Sequence, residues 1–309
     1  MKVIIFIGDG VIGHVTLNKI IPDMLAIGIE PVILRTKPPA LKKANIPELK
    51  SISFLESGIL SECVEPLLDN FQTNDSQPNN LTLSALAKKY QLHIETVEDV
   101  NRYDFLSSVL KDKEIKGAIS IRSYPIFKPE TIRVFKEKGF MWNLHTGLLP
   151  KYRGVFIPYH AIANKEKTYG WTLHEIASGI DLGAIIATDS IQLDKSKPIL
   201  ETYLSMSDKG ASMVVGALMF FQKRGNIPSV KQTEMLDSYF TFPTAQKIKD
   251  LKNKGIRFAN DIAETYARLF TIRGSLEENI LINKIKGELR TSKTIIQNEF
   301  YEPLDHQAA

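Results

Sequence analysis

Short, unbroken apolar runs alternate along this chain with stretches that repeat apolar residues every three to four positions. Residues 3–7 are apolar throughout, as in a parallel strand buried on both faces. Residues 14–27 carry helical spacing, and Pro31 to Leu34 opens a second strand. Residues 82–90 and 104–112 read as helices, and 91–96 and 117–121 as strands. Pro129 suits the first turn of a helix, where its missing N–H does no harm. Residues 140–145 form a strand that runs into a Gly/Pro loop. Residues 157–164 read as a helix, 170–176 and 185–191 as strands, and 199–223 as one long helix closed by Gly225 and Pro228. Between 37 and 80 the pattern is irregular, with prolines at 38, 39 and 47. It ends in the turn-rich Asn74-Asp75-Ser76-Gln77-Pro78-Asn79-Asn80. A loop region of this length in a compact domain is often a lid or a substrate loop.

Repeated strand–helix–strand units imply an α/β fold, a twisted, mostly parallel sheet with helices on both faces. Ligands of such sheets sit at the carboxyl ends of the strands. The character changes near residue 230, where 243–255 and 258–270 become charged, amphipathic helices. The expected division is a domain over 1–229 that carries the chemistry and a mainly helical appendage over 230–309. That appendage is a candidate homodimer contact.

Composition narrows the classes. The 309 residues are 43% hydrophobic and 24% charged, an ordinary globular balance. A formal net charge of +4, from 39 basic and 35 acidic residues, is too mild for a nucleic-acid protein and compatible with a small anionic ligand. The basic run over 247–257 reads as a solvated helix face. The single cysteine, Cys63, allows no internal disulfide and fits a reducing compartment. The opening MKVIIFIGDG reads as a buried strand rather than a signal peptide, and no stretch approaches the ~18 apolar residues of a membrane span. A soluble, cytoplasmic protein is expected. The histidines at 14, 93, 145, 160, 174 and 306 are scattered, with no metal-ligand spacing.

Two constellations carry chemistry. Gly8, Gly10 and Gly13 spell GDGVIG directly after the first strand, the spacing of a dinucleotide-binding turn. The acidic residue that would hold a ribose is missing, because the second strand ends Arg35-Thr36-Lys37. The glycines therefore make room for NADP with Arg35, for another nucleotide or phosphate, or simply for a tight turn. The second constellation is WNLHTGLLPKYRG, residues 142–154. Asn143 and His145 lie two apart on a strand, so alternation points both to one face. Asp181 follows about 35 residues on, in the glycine-flanked turn of GWTLHEIASGIDLGAII.

An amide, an imidazole and a carboxylate, with no serine or cysteine placed as nucleophile, suit direct attack of a substrate amine on a carbonyl carbon. Asn143 and a cationic His145 would stabilise the oxyanion, and His145 has the intrinsic pKa to move protons. Asp181 would hold the imidazole or relay protons through water. His174 reads either as a support for this group or as sheet packing. Tyr159, His160 and Asn164 read as packing and surface residues.

Residues 143–154 and 170–187 resemble the two signature segments of the folate-dependent formyltransferase family, and a looser match in order and spacing covers about 1–225. The resemblance implies a Rossmann-like catalytic domain, N10-formyltetrahydrofolate as donor, and Asn143, His145 and Asp181 as the catalytic group. SIRSYPIFKPE, residues 120–130, resembles the family's folate-binding loop in a less common wording. Carried over, Tyr124, Pro125, Ile126 and Phe127 line the pterin pocket. Lys151 and Arg153 read either as contacts to an acidic substrate or the folate glutamate tail or as a solvated loop, and Gly8 and Gly10 are candidate substrate-binding positions that make room for a nucleotide or phosphate. The helical 230–309 differs from the basic β-barrel of methionyl-tRNA formyltransferases, and Gly8-Asp9-Gly10-Val11 differs from the Gly-Ser-Asn grip of glycinamide ribonucleotide formyltransferases. The expected acceptor is an amino sugar on a nucleotide carrier. A tRNA acceptor and a formyltetrahydrofolate hydrolase, with water in place of the amine, are alternatives using the same three residues. An NADP-binding oxidoreductase or a nucleotide sensor built on GDGVIG is the alternative of another class.

Overall fold

The computed structural model describes residues 1–37, 47–69, 78–194, 196–233, 235 and 238–291. Pro38, Pro39 and the 74–77 part of the turn-rich segment lie outside them.

Seven strands form the main sheet: β1 (Lys2–Ile7), β2 (Glu30–Thr36), β3 (Ile94–Val97), β4 (Ile115–Ile121), β5 (Phe140–His145), β7 (Thr168–Glu175) and β8 (Ile185–Gln192). Their order is β3-β2-β1-β4-β5-β7-β8. Neighbours from β3 to β5 pair in parallel, whereas β7 runs antiparallel to both β5 and β8. The expected mostly parallel α/β sheet is the one found. A two-stranded ribbon joins β6 (Arg153–Gly154) to β9 (Tyr239–Phe240) in parallel.

Strand alternation sorts the core to the two faces of the sheet. Val3, Ile5 and Ile7 join Trp142, Leu144 and Trp171 in one cluster, against the helices Val11–Ala26 and Ser207–Arg224. Ile4 and Phe6 join Leu34, Phe135 and Met141 in the other. The Phe6 ring packs edge-on to Phe135, with centroids 5.7 Å apart.

Two expectations change. The helix read over 199–223 is two helices, Ile199–Ser205 and Ser207–Arg224. The chain tightens at the buried Met206, whose N–H bonds the Tyr203 carbonyl three residues back. Such a local 3₁₀ turn leaves the apolar rhythm nearly unchanged, so periodicity does not register it. The irregular stretch is helical over 47–68. Pro47 opens a helix to Ser53, and two π-helical turns follow, Phe54–Gly58 and Leu60–Val64. The Ile59 N–H bonds the Phe54 carbonyl and the Glu65 N–H bonds the Leu60 carbonyl, five residues back in each case. These wide turns break the 3.6-residue period on which helix recognition depends.

The helices Ala245–Asn253, Ile262–Phe270 and Leu276–Thr291 pack onto this run. Ile248, Phe258, Tyr266, Leu281 and Ile285 lie in the same hydrophobic cluster as Leu55, Leu60 and Cys63 and as the sheet residues. The Tyr266 hydroxyl reaches the carbonyls of Leu55 (2.8 Å) and Glu56 (3.1 Å) inside the first π turn. Removing it leaves buried carbonyls without that donor. Tyr266→Phe is therefore expected to lower the unfolding free energy by about 1–2 kcal/mol, measured by urea denaturation. An unchanged midpoint would mean that the π turn holds without it. Among the described residues, no helix is long and apolar enough to cross a membrane.

Candidate active site

The site forms where antiparallel β7 meets the end of parallel β5. Alternation along β5 sends Phe140, Trp142 and Leu144 to one face, with the Phe140 and Trp142 rings stacked 3.9 Å apart. Asn143 and His145 therefore emerge together on the other face. The register pairs Asn143 with His174 and His145 with Thr172. Asn143 Nδ2 stands 3.0 Å from His174 Nε2. His174 Nδ1 donates to the Glu175 carbonyl at 2.7 Å, and the Asn143 amide lies against its Nε2.

Asp181 closes the group from the turn after β7, with a left-handed backbone (φ +54°) that an aspartate tolerates better than most residues. Its Oδ2 accepts the Gly154 N–H at 2.8 Å and lies 3.6 Å from His145 Nδ1. Its Oδ1 lies 3.5 Å from both His174 Nε2 and Asn143 Nδ2. Gln232 pins the turn by donating to the carbonyls of Asp181 (2.8 Å) and Gly183 (2.6 Å).

The loop after β5 folds back over its own histidine. His145 Nε2 donates to the Tyr152 carbonyl at 2.7 Å. A side chain at Gly147 would stand 2.5 Å from that carbonyl and 2.8 Å from the imidazole, so only glycine permits the approach. Tyr152 is held by ring stacking on Phe240 and by its hydroxyl bond to Glu166.

Electrostatics set the protonation states. Burial pushes the His145 pKa below its ordinary value; Asp181 opposes this, while His174 and Arg122 add to it. Burial works to raise the Asp181 carboxyl, but His145, His174 and the Gly154 N–H together outweigh it and hold it well below the usual carboxylate range. Near neutrality the pair is a neutral imidazole beside an ionised carboxylate. Since Nε2–H is committed to Tyr152, the free basic nitrogen is Nδ1, on the side of Asp181.

The formyl transferase family model matches residues 125–218, from the loop after β4 through β5, β7 and β8 and into the helix Ser207–Arg224. Methionyl-tRNA formyltransferase of Chlorobium limicola is 28% identical over 162 residues, 52% of this chain and 49% of that protein. The enzyme of the same name from Methylacidiphilum infernorum is 32% identical over 153 residues, 46% of each chain. Residues 125–218 of the chain thus carry a match to the formyl transferase family. It spans about half the length of the curated relatives it matches. The fold is similar to that of a 4-N formyltransferase from Francisella tularensis, with a TM-score of 0.50 at 13% identity over 91% of this chain and 86% of that one.

The remaining candidate residues are placed as follows. The Tyr124 ring covers Gly8, where an added side chain would meet it at 2.8 Å and the Arg122 carbonyl at 2.3 Å. Gly10 faces the Glu56 carboxylate in the same way, at 3.3 Å. Close packing within the chain thus accounts for Gly8, whereas at Gly10 the flexible Glu56 side chain could give way. Arg35 is paired with Asp9 and Glu65, which leaves its guanidinium little freedom for a ribose phosphate. Phe127 packs on Phe6 (5.1 Å between centroids), whereas Ile126 is 76% exposed. Pro125, just before them, is half-buried. Lys151 pairs with Glu166, and Arg153 donates to the Ser238 hydroxyl from the β6–β9 ribbon. His160 donates to the Thr241 carbonyl, a packing role as read.

Motif spacing identified neither Gln232 nor Arg122. Gln232 stands in a segment with no periodicity. Arg122 did leave a trace, a buried-strand run that ends in a cation (IleSerIleArg, 119–122), and the structure places it beside Thr146, the residue after His145.

Proposed function

We propose that this chain transfers a formyl group from N10-formyltetrahydrofolate to a primary amine, and that the acceptor is a nucleotide-linked amino sugar. One feature supports the reaction most directly: His145 offers a free Nδ1 beside Asp181 because its other nitrogen is tied to the Tyr152 carbonyl. Neutral Nδ1 accepts the proton that an attacking amine must lose, and the imidazolium it becomes faces an ionised carboxylate. The Asn143 amide is oriented by His174 and donates to the oxyanion that forms as the new C–N bond is made. The imidazolium then returns its proton to the departing nitrogen, so the site ends in its starting state. The folate supplies the formyl carbon and the nitrogen that leaves.

The chain fits such a donor. A cavity of about 510 Å³ lies between Pro129, which follows the 124–127 loop, and Ser178, three residues before Asp181. Ile132, Arg133, Lys136 and Glu137 also line this open groove, with Arg133 paired to Glu137 and Lys136 to Glu175, so it offers an elongated ligand an apolar floor and a rim of mixed charge. The exposed Ile126 stands on the same loop. An amino-sugar acceptor is supported by residues 245–291, which are three helices packed on the core, unlike a basic β-barrel built for tRNA. The names of the curated relatives favour methionyl-tRNA as the second reading.

Purified protein with N10-formyltetrahydrofolate is to be tested against a panel of nucleotide-linked amino sugars, methionyl-tRNA and a water-only control, alongside Asn143→Ala. Tetrahydrofolate release is expected to require one amino sugar, and to fall about 10²- to 10³-fold in the variant. Release with methionyl-tRNA alone would reassign the acceptor, release without any amine would indicate hydrolysis, and no release at all would sink the formyl-transfer reading.

The pH dependence has a definite sign. The His145 base form exists above its pKa and is lost as pH falls through it, and burial holds that pKa below the ordinary 6.5. The acid limb of kcat/KM is expected to have its midpoint below 6.5. A midpoint above that value would remove His145 as the base.

A further inference from the structure

Arg122 follows β4 directly and adopts a left-handed backbone (φ +50°) unusual for a long side chain. β4 pairs with β5 so that Ile121 lies opposite Leu144, which brings Arg122 alongside His145 and Thr146. Its guanidinium forms an ion pair with Glu56, stands 3.5 Å from Thr146 Oγ1 and lies over the Tyr203 ring, 5.5 Å from the centroid. Glu56 belongs to the first π turn, whose carbonyls take the Tyr266 hydroxyl from the helix Ile262–Phe270. A continuous chain of contacts thus runs from the C-terminal helices through Glu56 and Arg122 to the residue after the catalytic histidine. Among the described residues the hydroxyl of the buried Tyr159 has no hydrogen-bond partner and lies in the surroundings of Glu56 and Tyr203, so aromatic rings border one side of the partly buried Glu56–Arg122 pair.

We propose that Arg122 is a positioning residue for formyl transfer, held by Glu56, which acts through His145 by fixing Thr146 and by setting the charge that the imidazole faces. The inference rests on the reading of His145 as the base. The groups facing that imidazole are Asp181 from the turn after β7, His174 from β7 and Arg122 from the end of β4. Asp181 favours the imidazolium and the two others oppose it. Glu56 neutralises Arg122 from the π turn and so moderates its effect. The two members of the pair therefore push His145 in opposite directions, which loose packing cannot imitate. A loosened site would admit water in either variant and move the imidazole toward its ordinary value both times.

The test is a titration of His145 by long-range ¹H–¹⁵N spectra of ¹⁵N-histidine protein, with the resonance assigned through His145→Gln. In Arg122→Gln the midpoint is expected to rise by roughly half a unit to one unit, because a cation is lost and Glu56 is left unpaired. In Glu56→Gln it is expected to fall by a similar amount, and in Arg122→Lys to stay near the parent value. Arg122→Gln is also expected to lower kcat about ten- to a hundredfold with little change in KM. Midpoints that move the same way in the two glutamine variants, or that move in neither, overturn the proposal. Circular dichroism confirms folding, and Glu56→Gln with Arg122→Lys decides the matter if Arg122→Gln does not fold. The spectra do not depend on turnover. An inactive parent with the opposite shifts would refute the assigned reaction alone, whereas an active parent without them would refute the role of Arg122 alone.

Discussion

His145→Gln is expected to lower kcat for formyl transfer by about 10²- to 10⁴-fold in a protein that still folds. Glutamine is the informative replacement because its amide can donate to the Tyr152 carbonyl, as Nε2–H does now at 2.7 Å. The loop from Gly147 to Gly154 then keeps its anchor, and with it the Gly154 N–H that holds Asp181. What disappears is a nitrogen that can take up a proton near neutrality. Single-turnover rates and a thermal melt separate the two consequences. A near-parent rate would show that the proton leaves the amine by another route. A collapsed melt would show that the imidazole holds the loop more firmly than an amide can.

Asp181→Asn carries the second large effect, a loss of about 10²- to 10⁴-fold by the logic of a carboxylate that supports a histidine base. Asparagine can still accept the Gly154 N–H, so the turn pinned by Gln232 is expected to persist. The anion opposite both imidazoles is gone, and the imidazolium that forms during transfer loses its partner. Because Asp181 favours the charged form of His145, its removal lowers the histidine pKa. The acid limb of any residual activity should therefore move to lower pH, not higher. Stability should change with its own sign. The folded-state pKa of Asp181 lies below its unfolded value, so its contribution is fully present above the ordinary aspartate range and is lost as pH falls below it. Urea denaturation at pH 7 should find the variant less stable than the parent, with the gap narrowing below about pH 4. A constant gap would mean that the charge of Asp181 is unrelated to the difference.

Both effects come from one arrangement. A wholly parallel sheet would place the strand after β5 across a crossover connection. Here β7 returns antiparallel and sets His174 directly opposite Asn143, and the turn that follows brings Asp181 back over both. The second histidine is therefore not a spare packing residue. It holds the Asn143 amide, which under the proposed reaction would meet the oxyanion, and adds to the depression of the His145 pKa.

Local patterns were enough for the sheet, for the strand Phe140–His145 at both of its ends, and for the pairing of Asn143 and His145 on one face. Strand periodicity and turn chemistry act over a few residues, and the chain displays them directly. Asp181 was legible for the same reason, since its glycine-flanked turn lies in a signature segment. Tertiary structure alone decided the rest. Periodicity left His174 open between packing and support, and cross-strand register places it opposite Asn143. Gln232 and Arg122 act from segments without a motif, through contacts made across 51 and 66 residues of sequence. Residues 47–68 read as irregular because π turns carry a longer period than the helix template. The C-terminal helices look detachable as amphipathic segments, yet their apolar faces close the same core as the sheet. An apolar stripe declares that a helix must bury one face, but which surface it meets depends on the whole folded chain.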